Sequence, residues 1–332
     1  MTARNGKFSG EDRLIARFFE PIATSPGALG LSDDAAVLKP PAGCDLVLTA
    51  DAIVGGIHFF NDDEARAVAQ KSLRVNLSDL AAKGAKPLGF LLSLALPENS
   101  GEDWLTSFAE GLKVDADKFA CPLFGGDTVR TTGPVTVSIA MFGSVPEGRM
   151  VRRAGARPGD RVMVTGTIGD AALGVQMRNG AGNAWKLTPA QRDHLLARYL
   201  LPQPRCALAD AVREYASAAM DVSDGLIGDF GKLARVSGVG AQIGVGQVPL
   251  SDAAKAALDS NPALLETILA GGDDYEIVCT VGSQKADALR AAAGKAGVAL
   301  TEIGTVTAGE EVRFMGPGGE PLSFGRASFS HF

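Results

Sequence analysis

The sequence predicts two mixed α/β domains within 332 residues. Apolar runs typical of strands alternate with segments whose apolar residues recur at helical spacing, first in residues 46–142 and again in residues 161–296. The two series are separated by residues 146–160, a polar and turn-rich stretch of the kind found at domain junctions. We therefore predict an N-terminal domain of residues 1–147 and a C-terminal domain of residues 148–332.

The first series contains three apolar runs and two helical patterns. The runs predict strands at residues 46–49, 90–96 and 135–142, and the first run ends at Asp51. The helical patterns cover residues 64–85 and 104–119, and the second follows an acidic start that suits a helix N-terminus. In the second series we predict strands at 161–165 and 275–281, helices at 170–177 and 226–236, alanine-rich surface helices at 253–258 and 286–296, and a loop at 179–185.

Composition excludes several classes of protein. With 46% hydrophobic and 21% charged residues the chain is an ordinary globular protein, and its net charge of -6 provides no basic field for nucleic acid or an anionic membrane. No apolar run approaches the roughly 18 residues of a membrane span, and the N-terminus has no signal-like apolar region. The four cysteines form no CxxC pair, so neither a zinc cluster nor a disulfide framework is predicted, and we expect a cytoplasmic protein.

Glycine recurs beside aspartate, and we predict backbone turns that carry carboxylates at residues 125–127, 169–170, 224–225, 228–229 and 271–273. Hard divalent cations such as Mg²⁺ bind oxygen ligands and bridge carboxylates to substrate phosphates. Taken singly, an aspartate beside glycine is more typical of an N-cap or an Asx-turn. The joint occurrence favours metal binding by aspartates that lie in apolar or glycine-rich settings, namely Asp33, Asp34, Asp51, Asp79, Asp127, Asp221 and Asp224.

A polar stripe on the first predicted helix is a second candidate. Ser72, Asn76, Asp79 and Lys83 follow one another by steps of three or four residues and share one helix face. The stripe either faces solvent or carries function.

Phosphate binding has three further candidates. Gly125 and Gly126 would let backbone N–H groups approach a phosphate beside Asp127, although Gly-Gly-Asp is also a common turn. Arg152 and Arg153 offer guanidinium groups for a transferring phosphoryl group, or are exposed linker residues. No Walker A sequence and no protein-kinase motif set is present, so nucleotide use would require another architecture.

Seven short motifs, in one order, resemble the thiamine-monophosphate kinase family. Each is weak alone, but together they span nearly the whole chain and are followed by Ser330-His331-Phe332. They stand at residues 30–34 (GLSDD), 49–51 (TAD), 56–59 (GIHF), 76–85 (NLSDLAAKGA), 125–128 (GGDT), 221–226 (DVSDGL) and 271–276 (GGDDYE).

The resemblance implies a kinase that uses ATP and Mg²⁺ to convert thiamine monophosphate into thiamine diphosphate. It also implies the fold shared with aminoimidazole ribonucleotide synthetase and selenophosphate synthetase. In that fold two α/β domains are expected to hold ATP between them, and the N-terminal domains are expected to pair into a homodimer.

By motif match the resemblance also assigns residues. The expected Mg²⁺ ligands are Asp34, Thr49, Ala50 through its carbonyl, Asp51, Asp79, Asp127, Asp221 and Asp224. The expected ATP contacts are Gly126, Asp127, Arg153 and Ser223, and the expected substrate contacts are His58, Asp273 and Phe329. Catalysis would depend most on Asp51, Asp79, Asp127 and Arg153. The family usually has Ser or Thr in place of Ala50, Glu in place of Asp273, and a different sequence around Phe329.

Three other functions stay open from the residues. A sister enzyme such as selenophosphate synthetase would need a reactive N-terminal cysteine or selenocysteine, and the first forty residues contain no cysteine. A non-catalytic nucleotide-binding maturation protein would need no thiamine pocket. A metal phosphatase would release free thiamine instead of forming thiamine diphosphate.

Overall fold

The structure is a computed structural model in which residues 13–98, 100–325 and 328 are described. They form two compact units. The first comprises the described residues up to Leu77 together with Lys86–Glu147, and the second comprises Ser78–Ala85 and the described residues from Gly148 onward. The predicted N-terminal domain, residues 1–147, includes residues 78–85. The structure groups them with the second unit because Ala81 and Ala82 pack in its apolar core.

The first unit is built on a four-stranded mixed sheet of order β1-β4-β2-β3. Strand β4 pairs antiparallel with both β1 and β2, whereas β2 and β3 run parallel. Its strands are β1 (Cys44–Val54), β2 (Lys86–Pro97), β3 (Leu123–Thr131) and β4 (Thr136–Pro146). Strand β1 does not end at Asp51 as predicted, because Asp51 pairs with Ile139 and the ladder continues to Val54.

Two long helices in this part of the chain agree with the helical patterns. Helix α1 (Ala65–Ala82) is buried over almost its whole length, including Leu73 and Leu77. Helix α2 (Glu102–Lys118) begins with two acidic residues and ends with Lys118, which matches the helix dipole. Its buried face carries Phe108 and Leu112.

The second unit contains a seven-stranded mixed sheet of order β11-β10-β7-β9-β5-β8-β6. Its strands are β5 (Arg161–Thr165), β6 (Ala216–Val222), β7 (Gly240–Gly244), β8 (Glu276–Val281), β9 (Leu300–Thr307), β10 (Val312–Met315) and β11 (Pro321–Leu322). Alternate residues enter two separate core clusters: Val162 and Val164 belong to one, and Met163 to the other. Both faces of the sheet are therefore covered.

The second unit's longer helices are α3 (Asp170–Arg178), α4 (Pro189–Leu200), α5 (Ala209–Tyr215), α6 (Leu226–Ser237), α7 (Asp252–Ser260), α8 (Leu264–Ala270) and α9 (Ala286–Lys295). Two local predictions were wrong. Gly228 and Asp229 lie inside α6 and form no turn, and the predicted loop at 179–185 contains a short 3₁₀ helix, Ala181–Ala184. None of the described helices is both long enough and apolar enough to cross a membrane.

Candidate functional site

Strand β1 carries three of the predicted metal ligands. Thr49, Ala50 and Asp51 are consecutive in the strand, paired with Met141, Ala140 and Ile139 of β4. Alternation along a strand places the side chains of Thr49 and Asp51 on one face and that of Ala50 on the other. Asp51 is exposed, whereas Thr49 is half-buried.

The polar stripe does not face solvent as predicted by one interpretation, because Ser72 and Asn76 are buried and Asp79 and Lys83 are half-buried. Asn76 is 0% exposed: its Nδ2 donates to the Ser72 carbonyl (3.0 Å) and its Oδ1 accepts from the Asp51 N–H (3.1 Å). Ser72 is buried too, and its hydroxyl donates to the Ala69 carbonyl at 2.7 Å. The Asn76 side chain thus links β1 to α1 at Asp51, a predicted metal ligand.

Gly126 and Asp127 lie within β3 and not in the predicted turn. Both glycines of the Gly-Gly-Asp motif continue the strand, with positive φ of 156° and 154°, and they pair with Leu91 and Leu92 of β2 just after a register shift. A Cβ on Gly126 would lie 1.8 Å from the Leu92 carbonyl oxygen. Asp127 itself is exposed, as is Asp34 in the segment before β1.

In the second unit, the end of β6 carries the other predicted aspartates. Asp221 is 4% exposed, and burial, followed by the charge of Asp79, raises its pKa well above the ordinary value. Asp79 is half-buried on the last turn of α1. Two carboxylates in this setting repel each other, and a bound cation would relieve that repulsion.

Asp224 follows β6 and already has a cationic partner, which the sequence analysis missed. Lys232 of α6 bridges the carboxylates of Asp224 and Asp229, with Nζ 2.9 Å from Asp229 Oδ1. Asp229 Oδ2 in turn accepts the N–H groups of Ser223 (2.9 Å) and Asp224 (2.8 Å). Burial raises the pKa of Asp229, and the two acids together raise the pKa of Lys232 against the opposing effect of its burial.

Lys83 is a second cation at the end of β6. Its Nζ donates to the Ala219 carbonyl at 2.7 Å, and burial lowers its pKa to about 8, with Asp221 opposing and Arg153 assisting. Arg153 is exposed, but its backbone is fixed, because its carbonyl accepts from the Ser237 hydroxyl at 3.2 Å. Arg152 is anchored in the same way, through its carbonyl and the Ala219 N–H (3.0 Å).

The predicted substrate residues lie in different settings. His58 is half-buried in the first unit, where its Nδ1 accepts the Val54 N–H at 3.1 Å and its carbonyl accepts from Lys71 Nζ at 3.1 Å. Asp273 lies in the second unit with φ of 66°, and its N–H donates to the Ser223 carbonyl at 2.7 Å. Phe329 lies outside the described residues.

The donor set fits Mg²⁺, which binds carboxylate and carbonyl oxygens. Asp221 and Asp79 are the residues whose burial and charge most favour a cation. Within the described ranges, no three His, Cys, Asp or Glu side chains converge on one point as a preformed metal cage. A chain that binds the metal together with a nucleotide needs fewer protein ligands, because substrate phosphates and water complete the coordination.

A cavity of about 470 Å³ in the second unit lies elsewhere. It is lined by residues 155–160 except Ala156, and by 215–217 and 282–285, none of which was predicted as a site residue. It lies beside the first residues of β6, whereas Asp221 lies near the end of that strand. The cavity is therefore separate from the candidate site.

Comparison with known proteins identifies the family. Residues 32–145 match the model of the AIR synthase related protein N-terminal domain, and residues 157–316 match that of the C-terminal domain. The thiamine-monophosphate kinase of Caulobacter vibrioides is 45% identical over 302 residues, covering 90% of this chain and 84% of that protein. This chain belongs to the thiamine-monophosphate kinase family.

Two solved structures agree with that assignment. The thiamine-monophosphate kinase of Stenotrophomonas maltophilia K279a is 38% identical with a TM-score of 0.82, covering 96% of this chain and 98% of that one. A second structure, AaThiL complexed with AMPPCP and TMP, is 31% identical with a TM-score of 0.77, covering 90% of this chain and 91% of that one. The predicted family and two-domain fold are confirmed.

Proposed function

We propose that this chain transfers the γ-phosphoryl group of ATP to thiamine monophosphate, giving thiamine diphosphate and ADP. The observation that carries the proposal is the likeness to a kinase whose structure was solved with AMPPCP and TMP, over 90% of this chain. The buried Asp221 near the end of β6, beside the half-buried Asp79 of α1, supports it, because a buried acid with a raised pKa beside a second acid is typical of a functional site.

The acceptor needs little help from a base. A phosphate monoester has a second pKa of about 6 and is largely dianionic near neutral pH. The reaction forms a bond between an acceptor phosphate oxygen and the γ-phosphorus, and ADP leaves with the electron pair of the broken bond. The difficulty is electrostatic: two unit charges about 4 Å apart repel by roughly 4 kcal/mol at an effective dielectric constant of about 20.

Charge neutralisation is therefore the main task of the site. Mg²⁺, when bound, would supply positive charge that offsets this repulsion. The chain's contribution is to hold the metal ions, through the side chains of Asp34, Thr49, Asp51, Asp79, Asp127, Asp221 and Asp224 and the carbonyl of Ala50. Arg153 donates to the transferring group, with its backbone held by Ser237.

The remaining residues bind and orient the two substrates. Gly126, Asp127 and Ser223 contact ATP. His58, Asp273 and Phe329 contact thiamine phosphate, and transfer between the two bound substrates is direct, without a phosphoenzyme. We keep the domain bounds that the sequence predicts, residues 1–147 for the N-terminal domain and residues 148–332 for the C-terminal domain.

We further propose a homodimer formed by the N-terminal domains, in the cytoplasm. Strand β1 is at the edge of its sheet and exposes Leu46 (41%) and Leu48 (65%), an apolar edge of the kind that pairs with another chain. The four cysteines carry free thiols, as in a reducing compartment.

The direct test is an assay with ATP, Mg²⁺ and thiamine monophosphate in which thiamine diphosphate and ADP are both quantified. We expect equimolar products and loss of both when Mg²⁺ is chelated. Thermal unfolding with thiamine monophosphate plus a non-hydrolysable ATP analogue should show a higher midpoint than either ligand alone. Formation of free thiamine would indicate a phosphatase, and no reaction with this acceptor would favour a sister enzyme or a nucleotide-binding maturation protein.

A further inference from the structure

Residues 271–275, called here the substrate loop, have an unusual backbone. Gly272, Asp273 and Tyr275 all have positive φ, of 74°, 66° and 52°. Two of these residues carry a side chain, for which the left-handed region is strained. Such a conformation persists when the surroundings hold it, and the loop presents Asp273, a proposed substrate contact.

Two sets of bonds hold the loop against neighbouring backbone. The N–H groups of Asp273 and Tyr275 donate to the carbonyls of Ser223 (2.7 Å) and Val222 (2.8 Å) at the end of β6. The buried carboxylate of Asp274 accepts the Gly169 N–H with both oxygens, at 2.9 and 3.0 Å. These bonds fix the loop on two sides.

A guanidinium group provides a third attachment. Arg198, on α4, uses one nitrogen, Nη2, for two bonds: it donates to the Asp274 carbonyl at 3.3 Å and to the Glu276 carboxylate at 2.8 Å. Glu276 is 0% exposed and follows the loop directly as the first residue of β8. Arg198 thus ties the main chain of the loop to a buried anion at its end.

Glu276 has enough partners without Arg198. Arg205 binds both carboxylate oxygens, and the Thr165 hydroxyl donates to Oε2 at 2.7 Å. The same Thr165 oxygen accepts the Ile277 N–H at 2.8 Å, so the anion is held firmly to β5 and β8. A single bidentate arginine already neutralises one carboxylate. The second arginine adds charge that the acid does not require.

Arg198 also buries a polar group without a hydrogen-bond partner among the described residues, which an apolar side chain would not do. Its Nε–H is buried and has no hydrogen-bond partner in the described part of the chain. An apolar side chain of similar length would leave no such unsatisfied donor. Two features distinguish Arg198 from Arg205, whose two hydrogen bonds within the described residues both go to Glu276. Arg198 donates to the Asp274 carbonyl, and its charge opposes the burial that raises the pKa of the Asp274 carboxyl.

We propose that Arg198 is a positioning residue, which holds the substrate loop so that Asp273 meets thiamine monophosphate. The inference rests on the proposed function, because Asp273 is a substrate contact there. Arg198 itself need not touch either substrate. Its loss should impair binding of the acceptor more than binding of ATP.

Arg198→Met and Arg205→Met form a matched pair, since each removes one guanidinium from Glu276 and only the first removes a bond to the loop. We expect Arg198→Met to raise the KM for thiamine monophosphate by about tenfold, and to change the KM for ATP by less than about twofold. Arg205→Met should change both KM values by less than about twofold, although it lowers the thermal midpoint at least as much. Arg198→Lys keeps the charge on a shorter side chain that reaches less far toward the Asp274 carbonyl, so it should rescue stability more than KM.

Hydrogen exchange gives a readout that is independent of turnover. The amides of Asp273 and Tyr275 should exchange faster in Arg198→Met than in Arg205→Met. Unchanged exchange together with an unchanged KM in Arg198→Met would overturn the proposal, as would equal effects of the two methionine variants on the KM for thiamine monophosphate. If Arg198→Met does not fold, the same comparison is made with Arg198→Lys and Arg205→Lys. A wild-type chain that forms no thiamine diphosphate would refute the proposed function, while the exchange experiment would still decide whether Arg198 holds the loop.

Discussion

The Asp51 N–H donates a hydrogen bond to Oδ1 of Asn76 over 3.1 Å, and this bond joins strand β1 to helix α1. Asn76 is fully buried, and its Nδ2 donates a hydrogen bond to the Ser72 carbonyl. The side chain therefore sets the position of Asp51, a proposed metal ligand, without being a ligand itself. Ligand supports of this kind tune metal affinity.

Asn76→Ala should both destabilise the chain and weaken metal binding. One buried and one partly buried hydrogen bond are lost and their partners are left without them, so we expect a loss of about 1–3 kcal/mol in the free energy of unfolding. The Mg²⁺ concentration for half-maximal turnover should rise by about tenfold or more. Ser72→Ala is the control, because it removes a buried hydroxyl from the same helix face but keeps the Ser72 carbonyl that Asn76 uses. An unchanged Mg²⁺ requirement in Asn76→Ala would show that the bond does not position Asp51.

Asp79→Asn tests the proposed metal site directly. Asp79 helps to raise the pKa of the buried Asp221, so the two carboxylates are electrostatically linked, and in the proposed site both would bind the cation. We expect turnover at limiting Mg²⁺ to fall by at least about tenfold and to recover in part at saturating Mg²⁺. Asp287→Asn, at a side chain that is 96% exposed and paired with Arg290, is the matched control. Near-normal turnover of Asp79→Asn at limiting Mg²⁺ would refute the metal-binding account.

The sequence predicted the family, the two longest helices and five of the eleven strands that the described residues form, because these have local patterns. It missed β3 and β6, which carry Asp127 and Asp221. It placed Asp127 in a turn because a Gly-Gly-Asp string is typical of turns. Whether two glycines bend or extend depends on their partners, and here Leu91 and Leu92 of β2 pair with them in a parallel ladder. Nothing in the Gly-Gly-Asp motif itself indicates this pairing with β2.

The buried charges were harder to find for a related reason. Glu276 lies 78 residues from Arg198 and 71 from Arg205, so no helical or strand period connects them. The helix stripe containing Asn76 was visible from its spacing, but spacing gives only a shared face. Whether that face meets solvent or another strand is decided by the tertiary fold.

Gly126→Ala should disrupt strand β3. A Cβ at this position would lie 1.8 Å from the Leu92 carbonyl oxygen, which is a backbone atom that cannot move aside without opening the β2–β3 ladder. We expect a loss of about 3 kcal/mol in the free energy of unfolding, together with weaker binding of an ATP analogue measured by calorimetry. Gly133→Ala is the control, because its nearest neighbour would be Thr131 Oγ1 at 3.4 Å. Equal thermal midpoints for the two variants would contradict the steric argument.

His194 and Asp170 form an ion pair whose strength depends on pH. Asp170 is fully buried, and burial would raise its pKa, but hydrogen bonds from His194 (3.0 Å), Ser251 and Thr167 (2.6 Å) together hold the pKa below its ordinary value of 3.8. The hydrogen bond to Asp170 raises the pKa of His194 above its ordinary value of 6.5, with burial opposing. Both groups are therefore charged together at mildly acidic pH.

The direction of the pH effect follows from these shifts. The His194 contribution is complete below pH 6.5 and is lost as pH rises through the raised pKa of the folded state, whereas the Asp170 contribution is complete above pH 3.8 and is lost in stronger acid. Because the His194 side chain is 43% exposed, we expect no more than about 1 kcal/mol from the pair. His194→Gln retains a side-chain donor that does not titrate. Thermal midpoints measured from pH 5 to pH 9 should show the wild-type advantage at the acidic end shrinking above neutrality, and a constant difference between the two proteins across this range would show that His194 does not titrate in the pair.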